Sequence, residues 1–137
     1  MKIDHIGIAT NGLEETASVY RDVLGLSVSE TEEVASQKVR VAMLPIGESR
    51  IELLEATSDD SPISKFLAKR GPGVHHIAFN VADIRTALAD LKSKGTRLID
   101  EEPRTGAGGC LVAFIHPSST GGVLIELVES PGGGQQN

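Results

Sequence analysis

Ile3-Asp4-His5-Ile6-Gly7-Ile8-Ala9 returns as Val74-His75-His76-Ile77-Ala78-Phe79-Asn80, and Ile51-Glu52-Leu53-Leu54-Glu55 returns as Ile125-Glu126-Leu127-Val128-Glu129. Each copy opens with a histidine-bearing strand and closes with a glutamate inside an apolar strand. Duplication therefore sets two His and two Glu at matched positions, the ligand set of one divalent metal site at a pseudo-two-fold axis. Side chains alternate along a strand, so His5 shares a face with Gly7 and Ala9, and His76 with Ala78 and Asn80. Ile6, Ile8, Ile77 and Phe79 take the opposite face. The histidine face is stripped of volume, as a cavity wall would be, and the bulky face is left for helices.

Working outward, each opening strand is followed by a helix signature. Asn11-Gly12-Leu13-Glu14 reads as an Asn cap with Glu three residues later, Leu13, Ala17, Tyr20 and Leu24 recur at helical spacing, and Gly25 ends the helix. In the second copy Asp83 caps, Ile84, Ala87, Leu88 and Leu91 form the apolar stripe, and Gly95 ends it. Strands are expected over Leu26 to Glu32, Val39 to Pro45 and Arg50 to Glu55, and again over Arg97 to Asp100, Leu111 to Ile115 and Val123 to Val128. Each half reads β-α-β-β-β. The expected organisation is one domain over 1–130, with modules 1–57 and 73–130 joined by a linker segment 58–72. There Asp60 or Ser61 caps a short helix through about Arg70, with Pro62 in its first turn. Residues 131–137 read as a flexible tail.

Composition narrows the function classes. The 137 residues, 39% hydrophobic and 23% charged, suit a soluble domain with a real core. Aromatics make up only 3% of the chain and the formal charge is -6, which together argue against nucleic acid as a partner. No apolar run is long enough to span a membrane and no signal-peptide pattern opens the chain. Cys110, the one cysteine, allows no internal disulfide and fits a reducing cytoplasm. Beside a glycine-rich turn and with no base identified for it, it reads as a passive small residue.

The glutamates carry the chemistry. A carboxylate inside strands such as Val123-Leu124-Ile125-Glu126-Leu127-Val128 costs several kcal/mol unless paired or bound to metal. No Lys or Arg recurs in both copies as a partner. Two His and two carboxylates suit a divalent transition ion with nitrogen and oxygen preference, such as Co, Zn, Ni, Mn or Fe. His75 lies on the strand face opposite His76 and reads as structural or as a support to the site. His116 ends a strand beside a loop, as a site wall or as surface. Thr105-Gly106-Ala107-Gly108-Gly109 lacks the strand-to-helix context of a phosphate cradle and reads as a lid or hairpin loop.

The sequence resembles the vicinal oxygen chelate superfamily and, within it, the methylmalonyl-CoA epimerases, over about residues 2 to 129. The narrower part of the resemblance lies in Asp4-His5-Ile6-Gly7-Ile8-Ala9, Asp60-Ser61-Pro62-Ile63 through Phe66-Leu67, and Gly73-Val74-His75-His76-Ile77-Ala78-Phe79. It continues in Pro103 through Gly109, Val112-Ala113-Phe114-Ile115-His116-Pro117 and Gly121-Gly122-Val123-Leu124-Ile125-Glu126-Leu127. The resemblance implies an α+β fold in which two tandem βαβββ modules form a curved sheet around a central metal cavity. By position, it makes His5, His76 and Glu126 the metal ligands, with Glu52 where epimerases carry Gln or Glu. It departs at Ser36, which stands where epimerases carry a proton-transferring Glu.

The implied activity is inversion of carbon 2 of methylmalonyl-CoA, or of a close 2-substituted malonyl-CoA, through a metal-stabilised enolate. Glu126 is then the proton carrier on one face, and the carrier on the other is Glu33, a water or a group the sequence does not disclose. The polyanionic CoA needs local cations on an acidic chain, and Lys65, Lys69, Arg70 and Arg104 are the candidates. Exposed edges of such paired modules imply a homodimer. The alternatives are a glyoxalase-like or thiol-conjugate metalloenzyme of the same superfamily, and a binding module without turnover. Glu52 as a fourth ligand counts against a ring-cleaving dioxygenase.

Overall fold

The computed structural model describes residues 1–132. The chain divides into two compact units, one running His5–His75 and the other gathering Met1–Asp4 with the chain from His76 onward. In chain order the elements are β1 (Lys2–Ala9), α1 (Leu13–Asp22), β2 (Glu30–Val34), β3 (Val39–Ile46), β4 (Ser49–Ala56) and α2 (Pro62–Arg70). There follow β5 (Gly73–Asn80), α3 (Ile84–Ser93), β6 (Arg104–Thr105), β7 (Leu111–Ile115) and β8 (Ile125–Glu129). None of the described helices is long and apolar enough to cross a membrane. The expected tail beyond Gly132 lies outside the described residues.

In the His5–His75 unit the strand order is β2-β3-β4-β1. β3 pairs antiparallel with both β2 and β4, whereas β1 runs parallel to β4, with His5 opposite Arg50 and Gly7 opposite Glu52. The bulky face closes against α1, where Leu13 and Ala17 pack with Ala42, Leu44 and Leu53 and with the half-buried Ile8. The other unit repeats the scheme in the order β5-β8-β7-β6, with β5 parallel to β8. There α3 sets Ile84 and Leu88 against Ala113, Ile115, Leu127 and Phe79. Each module is thus β-α-β-β-β, and the chain is α+β as expected. Strand parity also holds: Ile8 and Phe79 face helices, while His5, Gly7 and Ala9, like His76, Ala78 and Asn80, are buried on the other side.

Some elements differ from the sequence reading. Leu26 and Val28 form no ladder but pack as partly buried residues under α1. Gly25, at φ +74, turns the chain there, and the first bond to β3 is Ser29 N–H to the Met43 carbonyl. The strand expected over Arg97 to Asp100 is reduced to one bridge between Leu98 and Ile115, and the strand beside β7 is Arg104–Thr105 instead. β8 begins at Ile125, after the positive-φ pair Gly121 and Gly122.

The helix caps are divided between expectation and surprise. Asp83 accepts from Thr86 N–H at 3.1 Å and Ser61 Oγ from Ile63 N–H at 3.2 Å, as read. Asn11 does not cap α1. The cap position is Gly12, which offers no side chain. Instead Glu55 Oε1, from β4, accepts the Leu13 N–H at 2.7 Å. Glu129 Oε1, from β8, accepts the Ile84 N–H at 2.9 Å. The second glutamate of each repeated Glu-x-x-Glu strand therefore reaches the helix of its own module, where an anion meets exposed N–H groups and the positive end of the helix dipole. Asp60, the other candidate cap for α2, is engaged by Lys38 and Ser58, which hold its carboxyl well below the usual range, at about 2.

Candidate metal centre

In the His5–His75 unit, β1 and β4 bring His5 and Glu52 together. His5 Nδ1 lies 3.3 Å from Glu52 Oε2, and both side chains are only 5% exposed. Parallel pairing puts His5 and Glu52 on one sheet face, separated by Gly7, whose missing side chain leaves the space between them. Glu52 has an arginine partner, one that does not recur in the second copy. Arg50, two residues earlier on the same face, donates from Nε to Glu52 Oε2 at 2.8 Å, and its Nη2 lies 2.8 Å from the same oxygen. The repeat concealed this pair, because Leu124 occupies the corresponding place before Glu126.

The other unit presents the second pair. His76 Nε2, on β5, lies 3.0 Å from Glu126 Oε1, on β8, with side chains 6% and 4% exposed. Phe114 meets the His76 ring edge-on at 5.6 Å between centroids, and pairs across the ladder with Glu126. Ala78, Val112, Val128 and Cys110 form a small apolar cluster beside them, which agrees with a passive Cys110. Arg104 pairs with Val112, shares the Glu126 face, and sets its guanidinium 5.9 Å above the Phe114 ring.

The remaining candidates separate. Glu33 is opposite Arg40 in the β2–β3 register, on the face of Ala42, Leu53 and Glu55 that packs toward α1. It is exposed and lies on the strand face opposite that of Glu52. Glu30 and the half-buried Glu32 occupy the Glu52 face instead, opposite Met43 and Val41. Ser36 sits in a one-turn 3-10 segment, Ala35–Gln37, and is exposed. Lys65, Lys69 and Arg70 are exposed on α2, with Arg70 5.9 Å over the Phe66 ring. His75 packs edge-on against Phe66 at 4.9 Å, the structural reading. His116 Nδ1 accepts from Ser118 N–H at 3.0 Å, capping a 3-10 turn at the surface.

The whole chain, rather than these pairs alone, can be set beside known proteins. The model of the glyoxalase/bleomycin resistance protein/dioxygenase superfamily matches residues 4–114. The mitochondrial methylmalonyl-CoA epimerase of Mus musculus is 40% identical over 130 residues, covering 94% of this chain and 73% of that protein. This chain belongs to the methylmalonyl-CoA epimerase family. A variant of the Streptomyces coelicolor methylmalonyl-CoA epimerase, solved in complex with 2-nitronate-propionyl-CoA, is 45% identical with a TM-score of 0.95, covering 99% of both chains. A methylmalonyl-CoA epimerase solved with methylmalonyl-CoA and NH4+ is likewise 45% identical, with a TM-score of 0.94 over 98% of each chain. The fold expected from the resemblance is the fold of this family.

Proposed function

We propose that this chain epimerises carbon 2 of methylmalonyl-CoA, or of a close 2-substituted malonyl-CoA, with His5, Glu52, His76 and Glu126 holding one divalent transition ion. The observation that carries the reading is the donor set itself. Two imidazoles and two carboxylates, all buried, recur at matched positions of a duplicated module in a chain of the epimerase family. Their chemistry fits such an ion, since neutral imidazole and carboxylate suit Co, Zn, Ni or Mn and no thiolate is offered. When bound, the ion would supply Lewis acidity toward the thioester and carboxylate oxygens, where charge develops as the carbon 2 proton leaves.

The chain's own residues then carry the proton. Glu126 Oε1 accepts it on one face of carbon 2. Return of a proton to the other face inverts the centre, and Glu32 replaces Glu33 as the side chain on β2 whose strand face suits that role. Lys65, Lys69, Arg70 and Arg104 offset the charge of the CoA phosphates on a chain of net charge -6. Cys110 as a thiol rather than half of a disulfide fits the cytoplasm, and the exposed edge strands β2 and β6 make a homodimer the expected assembly, checked by light scattering.

The test is incubation of metal-loaded protein with one epimer of methylmalonyl-CoA in deuterated water. Epimerisation with deuterium appearing at carbon 2 is the expected result. Tight binding of the acyl-CoA with neither exchange nor inversion would overturn the reading in favour of a binding module.

A further inference from the structure

The sequence leaves one asymmetry between the two halves. Glu126 meets His76 beside Phe114, with Arg104 set over the Phe114 ring, whereas Glu52 carries a guanidinium directly on its Oε2 through both Nε and Nη2 of Arg50. Strand geometry enforces that contact, because residues two apart on β4 point the same way, and the arginine stem lies beside His5 in the β1–β4 register. The Glu52 side chain is 5% exposed and that of Arg50 26%, so water screens the pair only in part.

We propose that Arg50 is a positioning and charge-balancing residue for the metal centre. It pins Glu52 through Oε2 and offsets the charge of the second carboxylate, so that the four-donor set presents to an ion the net charge of a one-carboxylate site. This inference rests on the metal reading above and adds a residue to it. Two nitrogens of one planar guanidinium converge on Oε2 and so fix where that oxygen sits as well as balancing its charge, which the single ammonium of a lysine would do less well. In the metal-free protein Arg50 is the cation that accompanies the buried Glu52. A bound ion takes over part of that role.

The consequence separates Arg50 from a residue that merely packs. Arg50→Met leaves a buried carboxylate without its arginine in the metal-free protein, lowering the melting temperature by about 5–10 °C. Excess Co²⁺ or Zn²⁺ should return most of that loss, so the metal-induced rise in Arg50→Met exceeds that of the unmodified chain. Glu52→Gln removes the partner from the other side and should shrink the rise. Arg50→Met combined with Glu52→Gln should melt, metal-free, above Arg50→Met alone, since neither charge is then stranded.

The measurement is thermal unfolding of the full chain with EDTA and with excess metal, for these three variants and the unmodified protein. An equal drop in Arg50→Met with and without metal overturns the inference, because a packing role would give that result. No metal-induced rise in the unmodified chain would instead overturn the metal reading itself. Should Arg50→Met fail to fold, Arg50→Lys serves. It keeps the charge but not the fork, and an Arg50→Lys metal response identical to that of the unmodified chain would refute the positioning role.

Discussion

Replacing Glu55 with alanine tests the cross-strand capping of α1. Gly12 supplies no side-chain acceptor, so the first turn of α1 depends on Glu55 Oε1, 2.7 Å from Leu13 N–H. Leu13 is 3% exposed, so its amide has little water to fall back on. A hydrogen bond to a charged acceptor is worth about 1.5–3 kcal/mol, and the helix dipole adds roughly 0.3–1. Glu55 is partly solvated and its contact with Arg40, at 3.7 Å between exposed groups, adds little. The sum places Glu55→Ala at about 2 kcal/mol destabilising, or roughly 5–10 °C in melting temperature for a chain of this size. Glu55→Gln keeps an acceptor without the charge and should lose about half of that. The internal control is Glu129→Ala. α3 retains Asp83 on its Thr86 N–H, so that loss should be about 1 kcal/mol. Urea unfolding monitored by circular dichroism, in EDTA, gives the three values. A Glu55→Ala cost below about 0.5 kcal/mol, or a Glu129→Ala cost exceeding it, would refute the capping argument.

Excess metal should raise the melting temperature, by linkage of about 2.7 kcal/mol at a hundredfold over its dissociation constant, and His76→Ala should shrink that rise sharply; an unchanged rise would place the metal elsewhere. Glu126→Gln should abolish both deuterium exchange and inversion of methylmalonyl-CoA, with metal content assayed in the same sample to separate lost chemistry from a lost ion. Glu32→Gln should slow inversion by about 10²-fold or more while sparing exchange, and adding Ser36→Glu, which places a carboxylate where the resemblance implies one, should restore inversion in that variant more than it changes exchange; equal effects on both rates would remove the two-carrier scheme. Asp60, held down to about 2 chiefly by its bond to Lys38, contributes stability present above its ordinary value of 3.8 and lost as the pH falls through about 2. A carbon-detected titration of Asp60 should show that midpoint, and Lys38→Met should move it upward.

The repeat made the modules, both helices and the His–Glu positions legible, because duplication doubles every periodic signal. Side-chain alternation alone predicted which face holds His5 and His76, and burial on that face agrees. Features outside the repeat were harder to read. Leu26 and Val28 have strand-like composition, yet the positive φ of Gly25 delivers them under α1, and tertiary packing overrides propensity there. Asn11 has the composition of a cap for the first helix, but the acceptor is Glu55, 42 residues away from Leu13 in sequence. The choice between Glu32 and Glu33 needs a register. A one-residue choice on an edge strand selects the opposite face, and only the pairing of Glu33 with Arg40 decides it. Arg50 is hidden from a comparison of the two copies because Leu124 stands in its place in the second.

Asp4 has a further consequence, one of timing. It is 5% exposed and accepts a hydrogen bond at 2.9 Å from Asn80 Nδ2, which also lies 3.0 Å from Ser130 Oγ. Asp4 precedes Asn80 by 76 residues, so at about 5–20 residues per second a ribosome delivers its partner roughly 4–15 s later. The stretch from His5 onward can fold back on β4 during that interval, whereas the four residues before it belong to the later unit and must wait. A nascent chain thus holds Asp4 short of its bond to Asn80 until the second histidine strand has been made, so the opening strand is completed in two stages.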